Sequence, residues 1–111
     1  MAVETKNMNT LQKALAGRLI ALAEDSLERG EPAEAERLYR EVLHFLELIL
    51  DANHVEIAKT LYKLAYVLEY QDRTTESLEL IQRARTIIRG AVRQTLSAEA
   101  VMTPFVWERT S

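Results

Sequence analysis

The stretch Glu28-Arg29-Gly30-Glu31-Pro32-Ala33-Glu34-Ala35-Glu36-Arg37-Leu38-Tyr39-Arg40-Glu41-Val42-Leu43 decides the architecture of the chain. Gly30 is suited to end a helix, because glycine enters the left-handed conformation without steric cost. Pro32 follows closely and belongs in the first turn of a new helix, where its missing N–H would have no partner anyway. Ala35, Leu38, Tyr39, Val42, Leu43, Leu46, Ile49 and Leu50 then lay down one wide apolar stripe at helical spacing. A helix end, a short turn and a helix start in such close succession predict a hairpin of antiparallel helices.

Upstream, Asn9 and Gln12 have the spacing of a capping box and place the start of the first helix. Leu11, Leu15, Leu19 and Leu22, with the small Ala14 and Ala23, are expected to form its buried face. Downstream, the chain breaks at Asp51-Ala52-Asn53, and Asn53 with Glu56 predicts a second capping box. Ile57, Leu61, Leu64, Ala65 and Leu68 carry a third helix that should stop near Gln71-Asp72. Thr74 or Thr75 is expected to cap a fourth, whose apolar face runs through Leu78, Ile81, Ala84, Ile88, Ala91 and Val92 to about Arg93. No alternating run of β-branched residues and no Asn-Gly or Asp-Gly turn signals a strand. The fold class is therefore all-α.

Shifted by 42 residues, the sequence matches itself. Leu19 falls on Leu61, Leu22 on Leu64, Ala23 on Ala65, Glu34 on Glu76, Ala35 on Ser77, Leu38 on Leu80 and Tyr39 on Ile81. A fixed period of this size marks a helical repeat array. The small residues at Ala23, Ala65, Ala35 and Ser77 allow close approach of paired helices, and Asp72 takes the turn position that Gly30 holds in the first unit.

Leu22-Ala23, Glu28-Arg29-Gly30-Glu31 and Glu34 through Leu43 resemble the tetratricopeptide repeat. The 42-residue period, with His54-Val55-Glu56-Ile57-Ala58 opening the second unit, is similar to the longer repeats of kinesin light chains. The second unit departs from the pattern: Asp72-Arg73-Thr74 replaces the usual Gly and aromatic, and Val55 replaces the usual Pro. The resemblance implies two antiparallel helical hairpins stacked as a short α-solenoid. The domain reading is a flexible start over 1–8, a helical domain over 9–93 with units of about 9–51 and 52–93, and a C-terminal capping segment or tail over 94–111. In that tail Ser97 is expected to cap a short helix that Pro104 ends. Phe105, Val106 and Trp107 are expected either to fold back over the last hairpin or to leave that end open for a second copy.

The resemblance implies protein or peptide binding on a concave surface lined by the first helix of each pair. That surface selects Ile20, Glu24, Leu27 and Glu28 from the first helix, and Lys59, Tyr62, Lys63, Tyr66, Glu69 and Tyr70 from the third. Tyr62, Tyr66 and Tyr70 are spaced by four and share one helical face, turned away from the Leu61, Leu64, Leu68 stripe. Tyr suits interfaces because it offers a rigid apolar ring with a polar tip. Inter-repeat packing is the other role open to the three rings. Chaperone-binding relatives clamp a terminal carboxylate with Lys, Asn and Arg, but Glu24 and Tyr66 stand at the Asn positions here. The Asn pair that kinesin-type repeats place on the groove is replaced by Ile20-Ala21 and Tyr62-Lys63. A regulatory subunit acting through its tail and arginine stripe, or a homodimer through the repeat ends, are further readings of function.

Chemistry has little material. His44 and His54 sit on different elements, and there is no HExxH, CxxC or P-loop pattern, so no catalytic residue, metal ligand or cofactor is expected. The chain has no cysteine and a formal net charge of −3 within 111 residues. That charge lacks the basic excess on which nucleic-acid affinity rests. Arg85, Arg89 and Arg93 form a positive stripe, expected to be a solvated face near a helix end. No apolar run reaches the roughly 20 residues a membrane-spanning helix needs, and Met1 to Thr10 carries no signal-peptide stretch. A cytoplasmic protein that touches neither membrane nor nucleic acid is the expectation.

Overall fold

The computed structural model describes residues 7–102, with side chains through Leu96. Four helices follow one another: α1 Thr10–Glu28, α2 Pro32–Ile49, α3 Val55–Tyr70 and α4 Thr74–Met102. Each packs on its sequence neighbour, α1 on α2, α2 on α3 and α3 on α4. Two hairpins thus stack side by side, as the 42-residue period requires.

Local chemistry sets most of the helix ends. Asn9 Oδ1 accepts from the Gln12 amide at 2.8 Å, and Gln12 Oε1 accepts from the Asn9 amide at 3.1 Å, completing the expected capping box. The turns after α1 and α3 are the same motif. Gly30 N–H donates to Leu27 O and Glu31 N–H to Ser26 O; one repeat on, Asp72 N–H donates to Glu69 O and Arg73 N–H to Leu68 O. These paired bonds satisfy carbonyls that a helix end otherwise leaves open.

Three boundaries differ from the sequence expectation. His54, not Asn53, caps α3: its Nδ1 accepts from the Glu56 amide at 3.1 Å, so an imidazole lone pair does what an Asx oxygen would do. Neither Thr74 nor Thr75 caps α4, because the Arg73 carbonyl already accepts from Ser77 N–H and Thr74 lies inside the helix. Nor does α4 end near Arg93 with a separate helix after it. It runs unbroken to Met102, with Ser97 in its interior, because Gln94 to Met102 contains no Gly or Pro. Pro104, Phe105, Val106 and Trp107 lie outside the described residues, as do residues 1–6. Of the expected flexible start, Met8 is half-buried against the core.

The core forms two connected clusters. Val42, Leu46, Leu50, Ile57, Ala58 and Leu61 fill one, with Ala16, Ala84 and Ile87. Ala23, Ala35, Leu38, Tyr39, Leu64, Val67 and Leu68 fill the other. Burying each leucine contributes about 1.5–3 kcal/mol. Ala23, Ala35 and Ser77 are fully buried where helices meet, as their size predicts. The Ser77 hydroxyl has no hydrogen-bond partner there.

The expected buried face of α1 requires correction. Ala16, Ala23 and Ser26 are its buried residues, whereas Leu11, Leu15 and Leu22 are exposed. Among the described elements, α2 packs on α1 and α3 adds core side chains, and both meet the arc centred on Ala16 and Ala23. The Leu11, Leu15, Leu22 stripe faces outward from the end of the array.

Candidate functional site

α1 and α3 run in the same direction, and a groove lies between them. At the helix starts it forms a depression of about 570 Å³, lined by Asn7, Met8, Lys13, Gly17, Ile20, His54 and Glu56 among others. At the helix ends it narrows to a space of about 270 Å³ lined by Glu24, Leu27, Glu28, Tyr66 and Tyr70. Between the two, Lys63 Nζ stands 3.4 Å from the Glu24 carboxylate and bridges the walls. This pair is exposed, and such pairs contribute only about 0–1 kcal/mol. It orients the two side chains more than it holds the hairpins together.

The 42-residue shift explains why these residues face one another. Ile20, Glu24 and Glu28 occupy the places that Tyr62, Tyr66 and Tyr70 occupy one repeat later. Each triplet is spaced by four, so each lies along one face of its helix. The tyrosines are not packed away: Tyr62 is 41% exposed, Tyr66 61% and Tyr70 60%. Tyr66 and Tyr70 touch each other edge to face, with ring centroids 6.2 Å apart. Behind the groove, burial pushes the Tyr39 phenol up to about 12, with the nearby Glu24 charge adding to the shift. Tyr39 therefore stays neutral and is part of the packing.

The ten residues read from the sequence do not all meet. Glu24, Leu27, Glu28, Tyr66 and Tyr70 line the narrow end together, Lys63 reaches it through Glu24, and Ile20 lines the wide end. Lys59, Tyr62 and Glu69 lie on α3 but line neither space; Lys59 is held by Glu56 at 3.4 Å. Lys13, Gly17, His54 and Glu56 line the wide end and were not selected by the sequence reading. His54 is legible as a helix-start residue, but its Nε2 stands 3.5 Å from Asn7 Oδ1, an approach of the segment before α1 that periodicity does not encode.

Among the described residues no group of His, Cys, Asp and Glu side chains has the arrangement of a metal site. No described helix is long and apolar enough to cross a membrane. The family model for the tetratricopeptide repeat matches residues 11–90, which spans both hairpins. The chain belongs to the tetratricopeptide repeat family. Repeats of this family generally mediate protein–protein interaction. No individual curated protein matches the chain.

Proposed function

We propose that this tetratricopeptide protein is a non-catalytic binding module that holds an extended segment of a partner protein in the α1–α3 groove. The exposure of Tyr62, Tyr66 and Tyr70 on one face of α3 carries this reading. Three aromatic rings left half in water give up part of their burial free energy, on the order of 1 kcal/mol each when about 1.5–3 kcal/mol accompanies complete burial of a large apolar side chain, and a partner recovers it on covering them. Tyr is also enriched at the anchoring points of interfaces. Ile20, Leu27 and the Lys63–Glu24 pair add apolar and charged contacts along the same channel. The test is affinity capture from a lysate of the source cells, with wild type and a Tyr62→Ala/Tyr66→Ala/Tyr70→Ala variant of unchanged helicity. A partner retained by the wild type and lost by the variant is expected. A partner retained equally by both would place the interaction elsewhere on the molecule.

Self-association is the second reading, and one observation favours it. Leu11, Leu15 and Leu22 on α1 and Leu78, Val92 and Leu96 on α4 are all exposed, at opposite ends of the array. Sedimentation of the purified chain over a range of concentrations decides it: a mass that rises with concentration supports a homodimer, and a constant monomer mass removes it.

A further inference from the structure

The narrow end of the groove has a chemical character of its own. Leu27 gives it an apolar wall, Tyr66 and Tyr70 give it aromatic faces, and Glu24 and Glu28 give it negative charge. The edge-to-face contact of the two tyrosines uses one ring face, and both rings stay largely exposed, so the other faces are open; a ring face is the negative part of the aromatic quadrupole. Glu24 has Lys63 as a partner on one side at 3.4 Å. Glu28 forms no ion pair with any described residue: the nearby Arg29 is taken by Asp25 and Glu31.

The backbone adds to the same field. α1 ends at Glu28 and α3 ends at Tyr70, so two parallel helices bring their C-termini to this one place. A helix C-terminus carries partial negative charge, commonly offset by Lys or Arg in the last turn. Neither α1 nor α3 has a basic residue in its last turn. Side-chain charge, ring faces and helix termini therefore all favour a cation from outside, and the space of about 270 Å³ admits one long side chain.

We propose that the pocket formed by Glu24, Leu27, Glu28, Tyr66 and Tyr70 receives a cationic side chain, arginine or lysine, from the protein segment that occupies the groove. The inference rests on the groove reading above and adds the ligand's chemistry to it. The methylene stem of the cation lies on Leu27 and the tyrosine rings, while its head meets the Glu28 carboxylate. A planar guanidinium stacks on a ring and pairs with a carboxylate at once.

The experiment uses the full chain and a displayed library of random decapeptides as the probe. Tight binders are expected to share Arg or Lys at one position. Replacing an Arg there by citrulline, or a Lys by norleucine, which keeps most of the shape and removes the charge, should weaken binding about ten-fold. The penalty should shrink towards none on Glu28→Gln, an exposed change that leaves helicity intact, and should shrink in high salt on the wild type. Binders that need Tyr66 and Tyr70 but have no fixed basic position, or tolerate its neutral replacement, would overturn the cation assignment while the groove reading stands. A library whose binders are indifferent to Tyr66→Ala and Tyr70→Ala, or one that yields no binder, would overturn the groove reading and this inference with it.

Discussion

Two turns in this protein ask the same thing of the backbone and receive different residues. Gly30 ends α1 with φ 75°, and Asp72 ends α3 with φ 60°. Both stand at the C′ position of the same hydrogen-bonded motif, so the carbonyls they help to satisfy are equivalent. The left-handed conformation brings a Cβ close to the following carbonyl and costs about 1–2 kcal/mol for most side chains, somewhat less for Asp. Asp72 therefore stores strain that Gly30 avoids. Nothing lies within 4 Å of a Cβ built on Gly30, so substitution there is penalised by conformation alone. Opposite shifts are expected in thermal unfolding. Asp72→Gly should raise stability by about 0.5–1 kcal/mol and Gly30→Ala should lower it by about 1 kcal/mol, a few degrees in Tm each way for a domain of this size. An unchanged Tm for both would mean that the turns relax and the dihedral angle is not the governing cost.

α1 and α3 are copies in sequence and opposites in environment. Leu15 and Leu22 are 46% and 52% exposed, while their counterparts Ile57 and Leu64 are fully buried. The difference is a neighbour: α2 covers the outer face of α3, and no described element covers that face of α1. Leu64→Ala should therefore cost about 2–5 kcal/mol and Leu22→Ala under about 1 kcal/mol, measured by urea unfolding of the two variants. A Leu22→Ala cost equal to that of Leu64→Ala would show α1 covered in solution, by the tail or by a second copy. This contrast also shows how far sequence reading reaches. Asn9, Gly30, Pro32 and the 42-residue period act locally, so the hairpins and their order are legible from them. Burial of the Leu11, Leu15, Leu22 stripe depends on what lies beside it, and α1 is apolar on two sides, so periodicity selects the wrong one. The walls of the groove are legible because Ile20, Glu24 and Leu27 and the tyrosines follow from the repeat. Its wide end is not, because Lys13, His54 and Glu56 belong to helix starts, where a sequence rule sees caps and not a surface.

The hairpins are joined by polar contacts as well as by the core. Glu36 on α2 is the hub: it accepts from Arg73 at 2.6 Å, from Gln71 at 3.0 Å and from Arg40 at 2.9 Å. Arg73 also grips Glu76 at 2.7 Å, and Arg40 reaches Glu76 at 3.6 Å, so α2, the turn after α3 and the first turn of α4 are tied at one point. A second tie, Arg83 to Glu47 at 2.8 Å, joins α4 and α2 further along. Burial by itself would raise the pKa of Glu36, and it is the largest single influence, but hydrogen bonds from Gln71, Arg40 and Arg73 together outweigh it and hold the carboxyl below 4.5. Glu76 is lowered too, chiefly by its hydrogen bonds from Arg73. A carboxyl whose folded pKa lies below its unfolded value binds fewer protons folded than unfolded. Its contribution is complete above the unfolded value and is lost as pH falls through the folded one. Tm should thus be nearly level from neutral pH down to about 5 and fall below about 4.5, the ordinary glutamate value from which both groups are lowered. Glu36→Gln should be less stable than the wild type by about 1–2 kcal/mol at neutral pH, since it removes charge-assisted bonds at a half-buried site and leaves Arg73 and Arg40 to share Glu76. In acid the two proteins should converge, because protonation takes from the wild type the charge that the variant lacks throughout. A gap that persists unchanged at pH 3 would assign the role of Glu36 to its shape and packing instead of its charge.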